Sequence, residues 1–230
     1  MFPLRDEVPT RSFPLITVLF IAVNVLVYIY QLTLDEPAVQ ALVYKWAYIP
    51  IEYTHFTQVY PQLAVPYGVT VITSMFMHGG FMHLAGNMLY LWIFGNNVED
   101  NLGKLHFIVF YLLSGIAAVG LHTVLDPNSE VPLIGASGAI AGVLGAYMVL
   151  YPKARVHTVI FLGFFVQVVR IPAGVLLIIW FGLQILYGLP GLLSEGGGGV
   201  AWFAHVGGFA FGWLYFKLLR RRPAYEPLGY

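Results

Sequence analysis

Against a strongly apolar background, a serine, three histidines and an asparagine are the side chains placed to do chemistry in this 230-residue chain. Ser137 opens one apolar stretch, His205 lies inside another, and His83 and Asn87 stand at i and i+4 in a third, with His78 just ahead of them. A serine hydroxyl is a weak nucleophile until a base such as imidazole accepts its proton. Ser137 and His205 are therefore the candidate catalytic pair. No acidic residue is expected at their depth, so the arrangement is a dyad and not a Ser-His-Asp triad. Attack on an amide also creates an oxyanion that needs aimed donors. His83 and Asn87, one helical turn apart, project from one face and could supply two; the backbone N–H of Ser137 at a helix start could add another. His78 reads first as a hydrogen-bonded structural group, with tuning of the site as the sharper alternative.

The elements that must position these residues are membrane spans. The chain is 59% hydrophobic and 10% charged, whereas soluble domains average roughly half and a quarter. A bilayer-spanning helix needs about 20 mainly apolar residues. Six such segments are expected, at residues 13–32, 81–97, 105–125, 137–151, 172–189 and 200–219. The first is read as a retained helix because no small-residue cleavage signature follows it. Residues 33–68, rich in aromatics, read as a membrane-interface segment, and 158–171 as a stretch at the cytoplasmic surface. The division is a cytoplasmic segment 1–12, a membrane domain 13–219 and a cytoplasmic tail 220–230, with glycines 196–199 a flexible external link.

Six spans put both termini on one side, and charge identifies that side as cytoplasmic. Arg5, Arg11, Lys104, Lys153, Arg155, Arg170, Lys217, Arg220, Arg221 and Arg222 fall on it; only Lys45 falls opposite. At about 1.5 Å per residue, Ser137 counted from Pro152 and His205 counted from Arg220 each rise roughly 22 Å. The two side chains should share one depth. Asn87 and His83, counted from Glu99, rise roughly 18 and 24 Å into the same layer. Small residues at four-residue spacing, Ser137, Ala141 and Gly145 on one helix and Ala204, Gly208 and Gly212 on the other, would let the backbones approach closely.

Net charge is zero, leaving no basic surplus for nucleic acid. Cysteine is absent, which removes disulfides, thiolate metal sites and a thiol nucleophile. Glu99 reads as an anchor at a helix end, not a catalytic acid. Phe164, Phe165, Trp180 and Phe181 read as lipid-facing filler, and His55, His106, His122 and His157 receive no role.

These residues resemble the rhomboid intramembrane serine proteases over about residues 14–219. Gly135-Ala136-Ser137-Gly138 resembles the family's GxSG nucleophile motif, and Ala204-His205-Val206-Gly207-Gly208 its AHxGG base motif. His83-Leu84-Ala85-Gly86-Asn87 resembles the HxxxN segment, and Glu99-Asp100-Asn101-Leu102-Gly103 the ExxxG turn. The resemblance implies an all-α membrane protein, a six-helix bundle with Ser137 as nucleophile and His205 as base, and His83 and Asn87 assisting the oxyanion. It implies hydrolysis of a peptide bond in or beside a transmembrane helix of single-span or multi-span membrane proteins. No metal, nucleotide or other cofactor is implied, and the setting is a multi-pass protein of the cell membrane, with the lipid bilayer as its surroundings. Two positions depart from the pattern. A Trp-Arg pair found in the first loop of some members is replaced by Val69-Thr70, and an aromatic four residues after the serine by Ala141.

Two other functions compete. A catalytically silent rhomboid-like binder of transmembrane clients would typically lack the serine or the histidine, and this chain keeps both. A transporter or metal carrier built on His78, His83 and His205 would be expected to show an intramembrane acid and an internal repeat; neither is evident.

Overall fold

The computed structural model describes residues 2–162, 165–193 and 202–219, which are mostly helical. The glycine link 196–199, Val200, the tail 220–230 with Arg220, Arg221 and Arg222, and Phe164 lie outside the described residues. In chain order the helices are α1 (Leu15–Leu32), α2 (Glu36–Trp46), α3 (Pro50–His55), α4 (Val69–Thr73), α5 (Phe81–Tyr90), α6 (Asn96–Leu102), α7 (Lys104–Leu125), α8 (Ser137–Leu150), α9 (Ala173–Leu193) and α10 (Trp202–Leu218). A π-turn at Leu91–Gly95 joins α5 to α6. The second expected span therefore continues to Leu102, where Gly103 at φ 78° ends it. By length and composition α1 and α7 each suffice to cross a bilayer, whereas α8 and the apolar part of α9 are shorter.

The centre of the molecule is α8. Its sequence is apolar on every face, the pattern of a helix enclosed by others, and every residue from Ala139 to Tyr147 is buried. Against it lies α10, parallel and in backbone contact. A Cβ added at Gly208 would overlap the carbonyl oxygen of Gly138, and one at Gly212 that of Gly142. The small-residue stripes thus do what their spacing suggested, removing the atoms that would keep two helix axes apart.

Glu99 ties α6 to the start of α1. Only 2% exposed, its carboxylate accepts from the N–H groups of Ile16 at 3.0 Å and Thr17 at 2.8 Å, and from the Thr17 hydroxyl at 2.8 Å. The first N–H groups of a helix have no partner within it, and a negative charge is favoured there. Asp100 beside it accepts from Arg11 and Ser12. In the first loop stands the Val69-Thr70 pair, and Thr70 is buried. It bonds the hydroxyl of Tyr53 at 2.6 Å, while the neighbouring Thr73 donates to the Trp46 carbonyl at 2.7 Å. These bonds hold the loop.

One feature departs from an all-helical chain. Strands β1 (Phe2–Asp6), β2 (Arg155–Leu162) and β3 (Phe165–Pro172) form an antiparallel sheet in the order β1-β2-β3. Segment 1–12 was expected as a cytoplasmic segment and 158–171 as a stretch at the cytoplasmic surface, with no strand assigned to either. The run between α8 and α9 is rich in β-branched residues, among them Val156, Thr158, Ile160, Val166, Val168 and Ile171, which favour a pleated strand, and it pairs with itself from Arg155↔Pro172 to Leu162↔Phe165. Asp6, at the end of β1, accepts from the hydroxyl of Tyr147 on α8 at 2.5 Å. Burial raises the Asp6 carboxyl from its ordinary 3.8 to about 6, outweighing the Tyr147 bond, which lowers it. Glu7 pairs with His157 at 2.8 Å and Arg170 at 3.6 Å. The sheet therefore sits at the C-terminal end of α8, opposite the end that carries Ser137.

Candidate active site

Ser137 is the first residue of α8 and His205 lies in the first turn of α10. Because the two helices run parallel and are locked by their glycines, their N-terminal ends meet at one height. The Ser137 hydroxyl lies 2.7 Å from Nε2 of His205, hydrogen-bond distance for a hydroxyl and an imidazole.

His83 and Asn87 approach from α5. The ring of His83 packs over Gly135, where an added Cβ would fall 2.8 Å from Cε1 and Nε2 of the imidazole. Gly135 also has a φ of 126°, which disfavours any other residue. The first glycine of the GxSG motif thus makes room for one candidate oxyanion donor beside the serine. Asn87 is 8% exposed, and its Nδ2 has no hydrogen-bond partner among the described residues. A buried amide without a partner costs free energy, and this one lines the same cavity as Ser137.

That cavity, about 990 Å³, is bordered by Ser137, His205, His83, Asn87, Trp180 and Gln184 among others. His78 is set behind it, 1% exposed. Its backbone is clamped by the side chain of Gln31, which donates to the His78 carbonyl at 3.1 Å and accepts from the His78 N–H at 3.2 Å. The His78 ring meets that of His83 edge-on, centroids 5.0 Å apart.

Support for the His205 ring differs from what the sequence suggested. Ala141 is fully buried, and its Cβ lies 3.4 Å from the place a Cβ on Gly208 would take, so this position faces the α10 backbone. Aromatic cover comes from elsewhere: Trp180 on α9, 6.0 Å away with the rings tilted by 37°, and Trp202, edge-on at 6.2 Å. Trp180 and Phe181, expected to face lipid, instead pack against the core, and Phe181 stacks on Phe209 at 4.5 Å. Phe165 begins β3 and is 78% exposed. The residue that sequence reasoning missed is Gln184, whose Oε1 lies 2.8 Å from Nδ1 of His205. It is the one amide side chain in the apolar run of α9, and the rule that polar groups inside a span have partners or functions would have found it.

A mostly helical protein with a serine and an imidazole paired at the edge of a cavity is the class that fold and site define. Residues 67–222 match the family model of the Rhomboid domain, and the chain belongs to the rhomboid family. It is similar to Rhomboid protein 1, mitochondrial, of Saccharomyces cerevisiae, 32% identical over 154 residues, 64% of this chain and 40% of the relative. RHOMBOID-like protein 4 of Arabidopsis thaliana is 30% identical over 159 residues, 69% of this chain and 36% of the relative. Rhomboid protease GluP of Bacillus subtilis is 41% identical over 78 residues, 34% of this chain and 15% of the relative. The chain spans less than half the length of each. The family includes serine proteases and its members are multi-pass membrane proteins.

Proposed function

We propose that this chain is a serine endopeptidase that cleaves peptide bonds in or next to transmembrane helices of single-span or multi-span membrane proteins. The observation that carries the reading is the 2.7 Å contact between Ser137 and His205 at the edge of the cavity. As Ser137 Oγ bonds to the carbonyl carbon, its proton passes to Nε2 of His205, and the carbonyl oxygen takes up the negative charge. Asn87, its Nδ2 without a partner, His83 and the Ser137 backbone N–H are the donors for that charge. Collapse breaks the C–N bond, and the amine leaves with the proton held on Nε2. A water then gives its proton to Nε2 and attacks the ester, and the proton returns to Ser137 as the acid is released. No step needs a metal, nucleotide or other cofactor.

In this reading six spans cross the cell membrane with both termini cytoplasmic, residues 1–12 and 220–230 flanking a membrane domain of 13–219. Reporter fusions after Leu32 and Glu195 should report the external side, and those after Tyr151 and Arg222 the cytoplasm. A cytoplasmic signal from the Glu195 fusion would break the six-span arrangement.

The catalytic reading is tested with the purified, detergent-solubilised chain, a single-span substrate and a phosphonylating probe. Ser137 alone among the serines should be labelled. Ser137→Ala, His205→Ala and the double variant should share one low residual rate, because residues acting as a unit are non-additive. Wild-type cleavage by Ser137→Ala, abolished by a chelator, would replace this reading with a histidine-metal one.

A further inference from the structure

We propose that Gln184 is the positioning residue that selects the tautomer of His205 and turns its Nε2 toward Ser137, an inference that rests on the catalytic reading of that pair. Gln184 lies about three turns into α9 and is 6% exposed, so its amide makes its bonds inside the protein. Its Nε2 donates to the carbonyl oxygen of Trp180, one turn earlier, at 3.2 Å. A carbonyl can only accept, so this contact determines which end of the amide is which. Rotating the amide by half a turn would set two acceptor oxygens against each other. The Gln184 oxygen therefore faces Nδ1 of His205, at 2.8 Å.

That oxygen, too, can only accept. Nδ1 must carry the proton, and in a neutral imidazole the other nitrogen is then the acceptor. Nε2 is the atom 2.7 Å from the Ser137 hydroxyl. A helix carbonyl orients the amide, the amide orients the proton on the ring, and the ring is left able to accept from serine. In a Ser-His-Asp triad this duty belongs to a carboxylate. Here a neutral amide performs it, which avoids placing an isolated charge in the hydrocarbon layer. Trp180 contributes both its backbone carbonyl and its ring, the latter against the face of His205.

The test compares wild type, S137A, Q184M and Q184E in detergent, measuring kcat and KM on the single-span substrate. Ring-15N-histidine spectra are taken above the usual histidine titration range, His205 being assigned by the signal lost in H205A. Wild type should show the Nδ1–H tautomer. Q184M, close in volume but without an acceptor for Nδ1–H, should lower kcat by about 10- to 100-fold with KM within about twofold, and should populate the Nε2–H tautomer. Q184E keeps an oxygen for Nδ1–H and should retain that tautomer and most of the rate. Melting temperatures of the variants separate lost positioning from lost folding, and the tautomer is read in folded protein whatever its rate. A Q184M protein with wild-type kcat, or with His205 still wholly Nδ1–H, would overturn the assignment of Gln184 while leaving the dyad intact. Undiminished cleavage by S137A would remove the dyad and this inference with it.

Discussion

Helix α10 meets α8 and α9 in two different ways. Toward α8 the contact is backbone on backbone: Gly208 and Gly212 face the carbonyls of Gly138 and Gly142 with no room for a methyl group. Toward α9 it is side chain on side chain, through Phe209 with Trp180 and Phe181, Trp202 with Tyr187, and His205 with Gln184. The first contact sets the height of Ser137 against His205, and neither helix can slide without a clash. The second sets how the His205 ring is turned, through groups that can be replaced one at a time.

The comparison breaks most severely at the seam. Gly212→Val places atoms where the Gly142 carbonyl lies and should cost more than about 3 kcal/mol, the upper end for overpacking, leaving little folded protein. Phe181→Leu on the α9 side should cost about 1–2 kcal/mol and keep activity. Equal losses of melting temperature in detergent would show that the two interfaces are not different in kind.

A smaller effect is expected on the wall facing the seam. Asn87→Ala should lower kcat by roughly 100-fold, the loss typical of one oxyanion donor, while the protein stays folded because Asn87 Nδ2 has no partner to lose among the described residues. An unchanged rate in a cleavage assay would leave backbone N–H groups as the donors.

The smallest effect lies at the far end of α8. Asp6 titrates at about 6 in the folded chain against 3.8 ordinarily. The folded state therefore binds the proton more tightly, and stability should fall as pH rises from 3.8 to about 6, with the cost complete above that window. Asp6→Asn should flatten this part of the melting profile and leave kcat alone, since Asp6 and Ser137 are at opposite ends of the helix. A profile unchanged by the substitution would show that Asp6 does not govern it.

The helices and the meeting of Ser137 with His205 were legible in the sequence for one reason: in an apolar chain each polar residue is conspicuous, and helical rise converts position in the chain into depth. The same arithmetic brought His83 and Asn87 to the layer of Ser137. The β-hairpin was not legible, because 158–171 read only as a stretch at the cytoplasmic surface, whereas Arg170 and Pro172 belong to a strand paired with His157 and Arg155. Trp180 and Phe181 looked like lipid-facing residues because side chains for lipid and side chains for a membrane-protein core are equally apolar; only their packing on Phe209 tells them apart.

The amino-acid sequence by itself determined the membrane setting, the helices and the identity of the pair, since composition, apolar length and the placing of a few polar groups are properties of the chain alone. Tertiary structure decided the rest. Residue 184 lies 21 positions from His205 and 47 from Ser137, and no periodicity links it to either. Its contact with Nδ1 exists because α9 packs beside α10, and the orientation of its amide exists because Trp180 offers an acceptor one turn away. Directions of hydrogen bonds between helices are set by packing, which a one-dimensional pattern does not encode.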